Sequence, residues 1–485
     1  MAVAVAAPHP AAVEAAREVV AGGGNAFDAA LAAAGALAVA YPHQCSAGGD
    51  LVAIVRPAGA APRAVLSIGA AAAAVDVVEL RAAGDRMPFD GPQTITVPGV
   101  VAGWAAIAGL GARLTLSDLL APAVRLANDG VPFSPGLRRA IACRIDAIRS
   151  DPGLSALLSR GDDRLVQPVL AETLTAIGSD WRSFYQGDLG RRLAEGLRKL
   201  GSPLVAADLA AHRAEVVAPL TRTVGDVTWH AAPPPVQGPT FLAVVGADDL
   251  LAASLRARPA RDALLGDPRT GPIDLDRMLS PGAGPIDLDR MLSPGAGRSD
   301  AIGDGPKPTG DTVAITAVDD DGNAVTLIQS VFESFGSGLL DPGTGLVLHN
   351  RGSSFRLEPD HPGRIAPGSR PPHTLCPTMA ITADRAEPAG SRGAAGTVLA
   401  LGCQGGRNQP WILAQVAGEA LDSDDLPGLL TRPRWYFEGA DVVTEPGIDA
   451  LDDDAGHIQV SRLRHGQLAA ASDPRADGLG AVVGE

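Results

Sequence analysis

The chain has 485 residues, a formal net charge of −15, 58 glycines, 40 prolines and 46% apolar side chains. This length exceeds one ordinary domain core, and the apolar content suffices for a sizeable interior, which excludes a chain disordered by composition. Only two of the 40 basic residues are lysines (Lys199 and Lys307) and no basic cluster occurs, so nucleic acid and anionic membranes are excluded as expected partners.

The opening, MAVAVAAPHPAAVEAA, has no basic n-region and does not read as a signal peptide. Pro10 to Ala21 is predicted as a helix that stops at Gly22-Gly23-Gly24. Asn25 then reads as the N-cap of a second helix, with Asp28 near its N-terminal dipole. A glycine run before a helix can cradle phosphate, but helix rather than strand precedes this one and no GxGxxG or GKS/T follows. The apolar stretch 29–41 is too short to span a bilayer. Residues 51–55 and 64–67 read as strands, and 117–128, 135–149 and 171–200 contain helical patterns. From 266 to 311 glycine, proline and aspartate dominate without periodicity. Within this loop GPIDLDRMLSPGA occurs twice, at 271–283 and 284–296, a duplication that a loop tolerates at little entropic cost.

After Gly310 the pattern turns to strands. Residues 312–318 and 324–330 flank Asp319-Asp-Asp-Gly-Asn323, which predicts a hairpin. The acidic turn lacks the ligand positions of an EF-hand. Cys45, Cys143, Cys376 and Cys403 have no metal or redox spacing and read as four buried thiols in a reducing compartment, hence a cytoplasmic protein. No serine has glycines at −2 and +2, no H-E-x-x-H occurs, and the nine histidines are scattered, so the hydrolase elbow and zincin patterns are absent.

An ordered set of motifs is more specific. His9-Pro10 with Gly23-Gly24-Asn25-Ala26-Phe27-Asp28-Ala29-Ala30, Thr96 to Trp104, Gly310-Asp311-Thr312, Val318 to Asn323, Phe335-Gly-Ser-Gly338, Gly402-Cys-Gln-Gly-Gly406 and Arg432-Pro-Arg-Trp435 together resemble the γ-glutamyltransferase family over nearly the whole chain. The resemblance implies an α+β, four-layer αββα sandwich of the N-terminal nucleophile hydrolases. It implies self-cleavage between Asp311 and Thr312 into a heavy chain, 1–311, and a light chain, 312–485. A threonine hydroxyl is a weak nucleophile without a base. Once residue 312 is a chain terminus, its own α-amine, with a reference pKa of about 7.7–8.0, can take that proton at neutral pH.

By the same resemblance Gly405 and Gly406 supply the backbone N–H groups of the oxyanion site, and Ser330 is the hydroxyl beside the nucleophile. In substrate recognition the sequence departs from the glutathione-degrading members. The aspartate that would hold an α-ammonium falls on Ser354, the neighbouring glutamine on Arg351, a nearby asparagine on Phe332, and the serine pair for the α-carboxylate on His373 and Thr374. The heavy-chain arginine expected near residue 77 is missing, with Arg81 the nearest candidate. Arg351 suits a carboxylate as a planar, two-pronged donor, or it is an ordinary surface ion-pair residue.

This pattern resembles the branch that includes oxamate amidohydrolases. The resulting expectation is an enzyme that hydrolyses or transfers the acyl group of a small carboxylate-bearing amide such as a γ-glutamyl compound. The alternatives are oxamate deamidation, giving oxalate and ammonia, or a non-catalytic binding relative. Neither cofactor nor metal is implied. The partners are a small-molecule substrate and the two chains of the precursor, as one heavy–light unit or a dimer of such units.

Overall fold

The computed structural model describes residues 1–159, 163–282, 312–382, 396–446 and 455–484. Asp311 and the second copy of the repeat lie outside them; the first copy carries the short helix Leu275–Leu279.

Two antiparallel sheets face each other. The first runs in the order Leu479–Val483, Val3–Ala7, Val313–Asp319, Ala324–Ser330, Asp50–Arg56, Arg63–Ser67 and Glu215–Val217. The second runs Gln467–Ser472, Ile458–Arg464, Val398–Cys403, Thr378–Thr382, Val227–Ala231 and Leu220–Val224. Period-two alternation sends neighbouring side chains of one strand into different layers. Val313, Ile315 and Ala317 pack under the helices, whereas Ala314 and Val318 enter the space between the sheets with Val52, Ile54, Met379 and Ala400. On the far face of the second sheet Leu399 and Leu401 pack against Phe241, Ile412 and Leu413 of the outer helices. Three apolar layers between four layers of secondary structure make the αββα sandwich. Polar side chains that enter its middle are satisfied, as burial requires: Thr316 Oγ1 lies 2.9 Å from Ser461 Oγ, Ser461 Oγ donates to the Thr316 carbonyl at 3.1 Å, and Thr326 Oγ1 donates to the Thr378 carbonyl at 2.8 Å.

The helix Pro10–Ala21 and the hairpin Val313–Asp319/Ala324–Ser330 form as the sequence predicts. Asn25 and Asp28 close a capping box: Asn25 Oδ1 accepts from Asp28 N at 3.3 Å, as well as from Phe27 N at 2.9 Å, and Asp28 Oδ2 accepts from Asn25 N at 2.8 Å. Such a cap stabilises a helix by about 1 kcal/mol. The helix it starts, Ala26–Ala40, is buried along its whole length, which explains its near-total lack of polar residues.

Two long helical patterns are broken. Residues 135–149 divide into Pro135–Cys143 and Ile145–Ser150 at Arg144, whose backbone leaves helical geometry (φ −112°, ψ 20°) and whose Nη2 reaches both oxygens of Asp90 at 2.7 Å. Residues 171–200 divide into Pro168–Ser179, Ser183–Gln186 and Asp188–Lys199, with extended backbone at Asp180 and Gly187. The four-thiol expectation needs one correction: Cys45, Cys376 and Cys403 are buried, but Cys143 is exposed at the end of its helix.

Candidate active site

The strand register builds one half of the site. Gln329 pairs with Val313 and Ser330 with Asp50, so Thr312, Ser330 and Asp50 meet at one end of the first sheet. Thr312 Oγ1 donates to Ser330 Oγ at 3.0 Å, and Phe332 N donates to the same oxygen at 2.8 Å. Gly48 and Gly49 precede Asp50 for a steric reason. A Cβ would lie 2.4 Å from the Val347 carbonyl oxygen at the first and 2.3 Å from that of Ser330 at the second, so only glycine lets these backbones approach.

The second sheet supplies the other half. Strand Val398–Cys403 runs into Gln404, then Gly405 (φ 147°, ψ 13°) and Gly406 (φ 51°), conformations that side chains disfavour. Asn408 N donates to the Gly405 carbonyl at 2.8 Å and Gln237 Nε2 to the Gly406 carbonyl at 2.9 Å. The Gly405 carbonyl shares its peptide plane with the Gly406 N–H, and the Gly406 carbonyl with the Arg407 N–H, so these anchors fix the orientation of those two N–H groups.

Between the halves sits Arg351, fully buried at the head of the 3₁₀ turn Arg351–Ser354. It is not a surface ion-pair residue. Its guanidinium carbon lies 3.8 Å from the centroid of the Phe332 ring, and Nη1 donates to Thr374 Oγ1 at 3.0 Å. Phe332 holds φ 80°, uncommon for an aromatic residue and the kind of strain that clusters at functional sites. Gln237 Nε2 closes the chain of contacts, reaching the Thr374 carbonyl at 2.5 Å as well as Gly406.

The other predicted binding residues brace this arrangement. Ser354 Oγ donates to the carbonyls of Arg351 at 2.7 Å and Pro372 at 2.8 Å. The His373 ring turns toward Asp50, Nε2 to Oδ2 at 3.2 Å, while His349 Nδ1 approaches the same oxygen at 3.5 Å and Gly69 N donates to Oδ1 at 2.9 Å. Burial pushes Asp50 up to about 7, against the Gly69 N–H and the charges of Arg351 and Arg370. Burial also lowers His349 to about 4 and holds His373 well below the ordinary imidazole value, helped by Arg351.

A cleft of about 30 Å³ opens beside Ser354, His373, Thr374, Gln237 and Arg407. A larger cavity of about 430 Å³, which Arg81 lines, shares Arg356 with it. Arg81 Nε donates to the Leu357 carbonyl at 2.8 Å.

The γ-glutamyltranspeptidase family model matches residues 12–483. The chain belongs to the γ-glutamyltranspeptidase family. It is 34% identical to the oxamate amidohydrolase proenzyme of Klebsiella pneumoniae, across 98% of this chain and 97% of that one. It is 31% identical to a glutathione hydrolase-like proenzyme of Bacillus subtilis, across 99% and 98%. A solved cephalosporin acylase from Bacillus halodurans superposes with a TM-score of 0.82 at 27% identity, covering 99% of this chain and 95% of that one. The γ-glutamyltranspeptidase relationship makes this chain a hydrolase with the N-terminal nucleophile fold, formed as a proenzyme whose single precursor yields heavy and light chains.

Sequence reasoning missed Asp50, His349 and Gln237. Asp50 had a readable signal, a carboxylate opening an apolar strand after two glycines. His349 and Gln237 had none, because their partners lie far away along the chain.

Proposed function

We propose that Thr312, freed as a chain terminus by cleavage after Asp311, attacks the carbonyl of a small amide whose carboxylate is held by Arg351. The carrying observation is the unbroken run of contacts from Thr312 through Ser330, Phe332, Arg351, Thr374 and Gln237 to Gly406. In the first step the α-amine takes the Thr312 proton as the Oγ–C bond forms, and the N–H groups of Gly405 and Gly406 receive the oxyanion. The C–N bond then breaks, the amine leaves with the proton held by the α-ammonium, and water or an acceptor amine cleaves the ester. The buried Cys376 and Cys403 thiols, free in this structure, support a reducing, cytoplasmic setting.

Within this class, oxamate-type deamidation is the sharper form. Ser354 spends its hydroxyl on two carbonyls where a γ-glutamyl α-ammonium needs a carboxylate, and Arg351 suits an acyl group bearing a carboxylate and no amine. Assaying the processed enzyme on γ-glutamyl-anilide, glutathione, glutamine and oxamate side by side tests both. Turnover of oxamate with none of the γ-glutamyl compounds selects deamidation. Propionamide, run beside them as an uncharged amide, should not turn over; turnover of it as fast as the best of the four removes the role given to Arg351.

A further inference from the structure

Asp50 Oδ2 stands between two imidazole rings whose proton positions are set by other partners. His349 Nε2 lies 2.9 Å from the Thr96 carbonyl oxygen. A carbonyl only accepts, so Nε2 carries the proton and a neutral ring presents a lone pair at Nδ1. That nitrogen is 3.5 Å from Asp50 Oδ2, and among the described residues no hydrogen bond reaches it from elsewhere. His373 is the reverse: Leu375 N donates to Nδ1 at 3.4 Å, so Nε2 carries the proton and offers it to the same Oδ2 at 3.2 Å. Gly69 N takes the other oxygen at 2.9 Å. All three side chains are buried. Oδ2 thus accepts from one ring and faces an acceptor on the other, and a proton held between Asp50 and His349 satisfies both, as burial requires. The surrounding groups leave that proton in place. Arg351 and Arg370 favour the carboxylate, but burial outweighs them and pushes Asp50 up to about 7. Arg370 is committed to Asp267 and Glu215. Burial lowers His349 to about 4, His212 to about 3 and His373 well below the ordinary imidazole value, and it raises the Tyr185 phenol.

We propose that Asp50 is a positioning residue for the substrate carboxylate: as a neutral carboxyl it clamps His349 and His373 and leaves the Arg351 charge to the ligand. The two rings stand at the base of the recognition segments. His349 precedes Arg351 by two residues, and His373 directly precedes Thr374, whose hydroxyl takes Arg351 Nη1 at 3.0 Å. One carboxyl therefore ties the segment bearing the cation to the segment that braces it. An ionised Asp50 would set a second negative charge against the ligand in a buried site, where repulsion is little screened. Binding to that form takes one proton from solvent onto the Asp50–His349 pair, so carboxylate affinity falls by up to about 10-fold per pH unit above the Asp50 titration. The proposal rests on Arg351 holding the carboxylate, and its test separates the two.

The test is an NMR titration of the processed enzyme with acetate between about pH 6 and about pH 8.5. It is run on the parent, Asp50→Asn, Asp50→Ala and Arg351→Gln, with completed self-cleavage as the check on folding. The Thr312 α-amine titrates in the same range in every variant, so the comparison between proteins decides. Across this range the parent is expected to lose about 10- to 30-fold more affinity than Asp50→Asn, whose amide never ionises. At the acid end Asp50→Ala should bind acetate at least about 5-fold more weakly than Asp50→Asn, which keeps a donor for His349. Should a variant at 50 fail to fold, infrared difference spectra of the parent near the alkaline end decide: isotope-labelled acetate should add the band of one protonated carboxyl, and its absence overturns the proposal. Coinciding pH profiles in the parent and Asp50→Asn, or an Asp50→Ala that binds as tightly as Asp50→Asn, overturn the proposal and leave Arg351 in its role. Acetate affinity unchanged in Arg351→Gln overturns the Arg351 reading and this proposal with it.

Discussion

Replacing Arg351 by glutamine removes a buried cation that lies between the Thr312 and Gly406 halves of the site. The side chain is fully buried, stacked on Phe332 at 3.8 Å, and Thr374 Oγ1 occupies Nη1 at 3.0 Å. A charge-assisted hydrogen bond lost from such a desolvated position costs about 1.5–3 kcal/mol. At about 1.36 kcal/mol per decade, kcat/KM for carboxylate-bearing amides should fall roughly 10- to 150-fold. Self-cleavage, which uses Thr312 and Ser330 and no substrate, should proceed at the parent rate. Arg351→Lys should restore part of the loss, because an ammonium is a point charge and cannot present a planar fork. Steady-state kinetics on the best substrate, run beside a gel assay of processing, reads both effects. An unchanged kcat/KM in Arg351→Gln refutes the reasoning and shifts attention to Arg81 and Arg407.

Four further outcomes are expected. Thr312→Ala should neither cleave nor turn over, and Ser330→Ala should slow cleavage about 2- to 13-fold through loss of the 3.0 Å contact; N-terminal sequencing should find a light chain starting Thr-Val-Ala-Ile, and a start elsewhere removes Thr312 from its role. Gly405→Ala should reduce kcat far more than Gly406→Ala, since a Cβ at 405 meets Ile412 Cδ1 at 2.7 Å with φ 147° while at 406 nothing lies within 4 Å; the reverse order in a kinetic comparison contradicts this. Asp50, raised from 3.8 to about 7 by burial, keeps a proton in the native state that the unfolded chain releases. Its contribution to stability is therefore full below the lower value and is lost as pH rises through the upper one, at about 1.36 kcal/mol per pH unit; Asp50→Asn should flatten the fall in Tm across this window, and an unaltered Tm profile argues against the shift. Deleting residues 284–296 should leave processing and activity intact on the same gel and kinetic assays, and a block in cleavage would show that the repeat helps place the scissile bond.

Local chemistry made much of this protein legible in the sequence. The capped start at Asn25 and the hairpin around Asp319 to Asn323 depend on neighbours a few residues away, and each stands where the sequence puts it. The glycine pair at 405–406 was marked by the family resemblance alone, and the structure adds that both hold positive φ, which other residues disfavour. The helical patterns at 135–149 and 171–200 do form helices, but periodicity does not register where they break, with Arg144 drawn to Asp90 and the chain turning at Asp180 and Gly187. Only the tertiary structure decided the environment of the binding residues. Sequence places a serine, a histidine, a threonine and an arginine in the recognition segments and cannot say which of them face one another. Packing sorts them: Thr374 goes to Arg351, His373 to Asp50 and Ser354 to backbone carbonyls. Asp50 and His373 are 323 positions apart, and what joins them is the antiparallel register of the first sheet and the stacking of the two sheets, which no local pattern encodes.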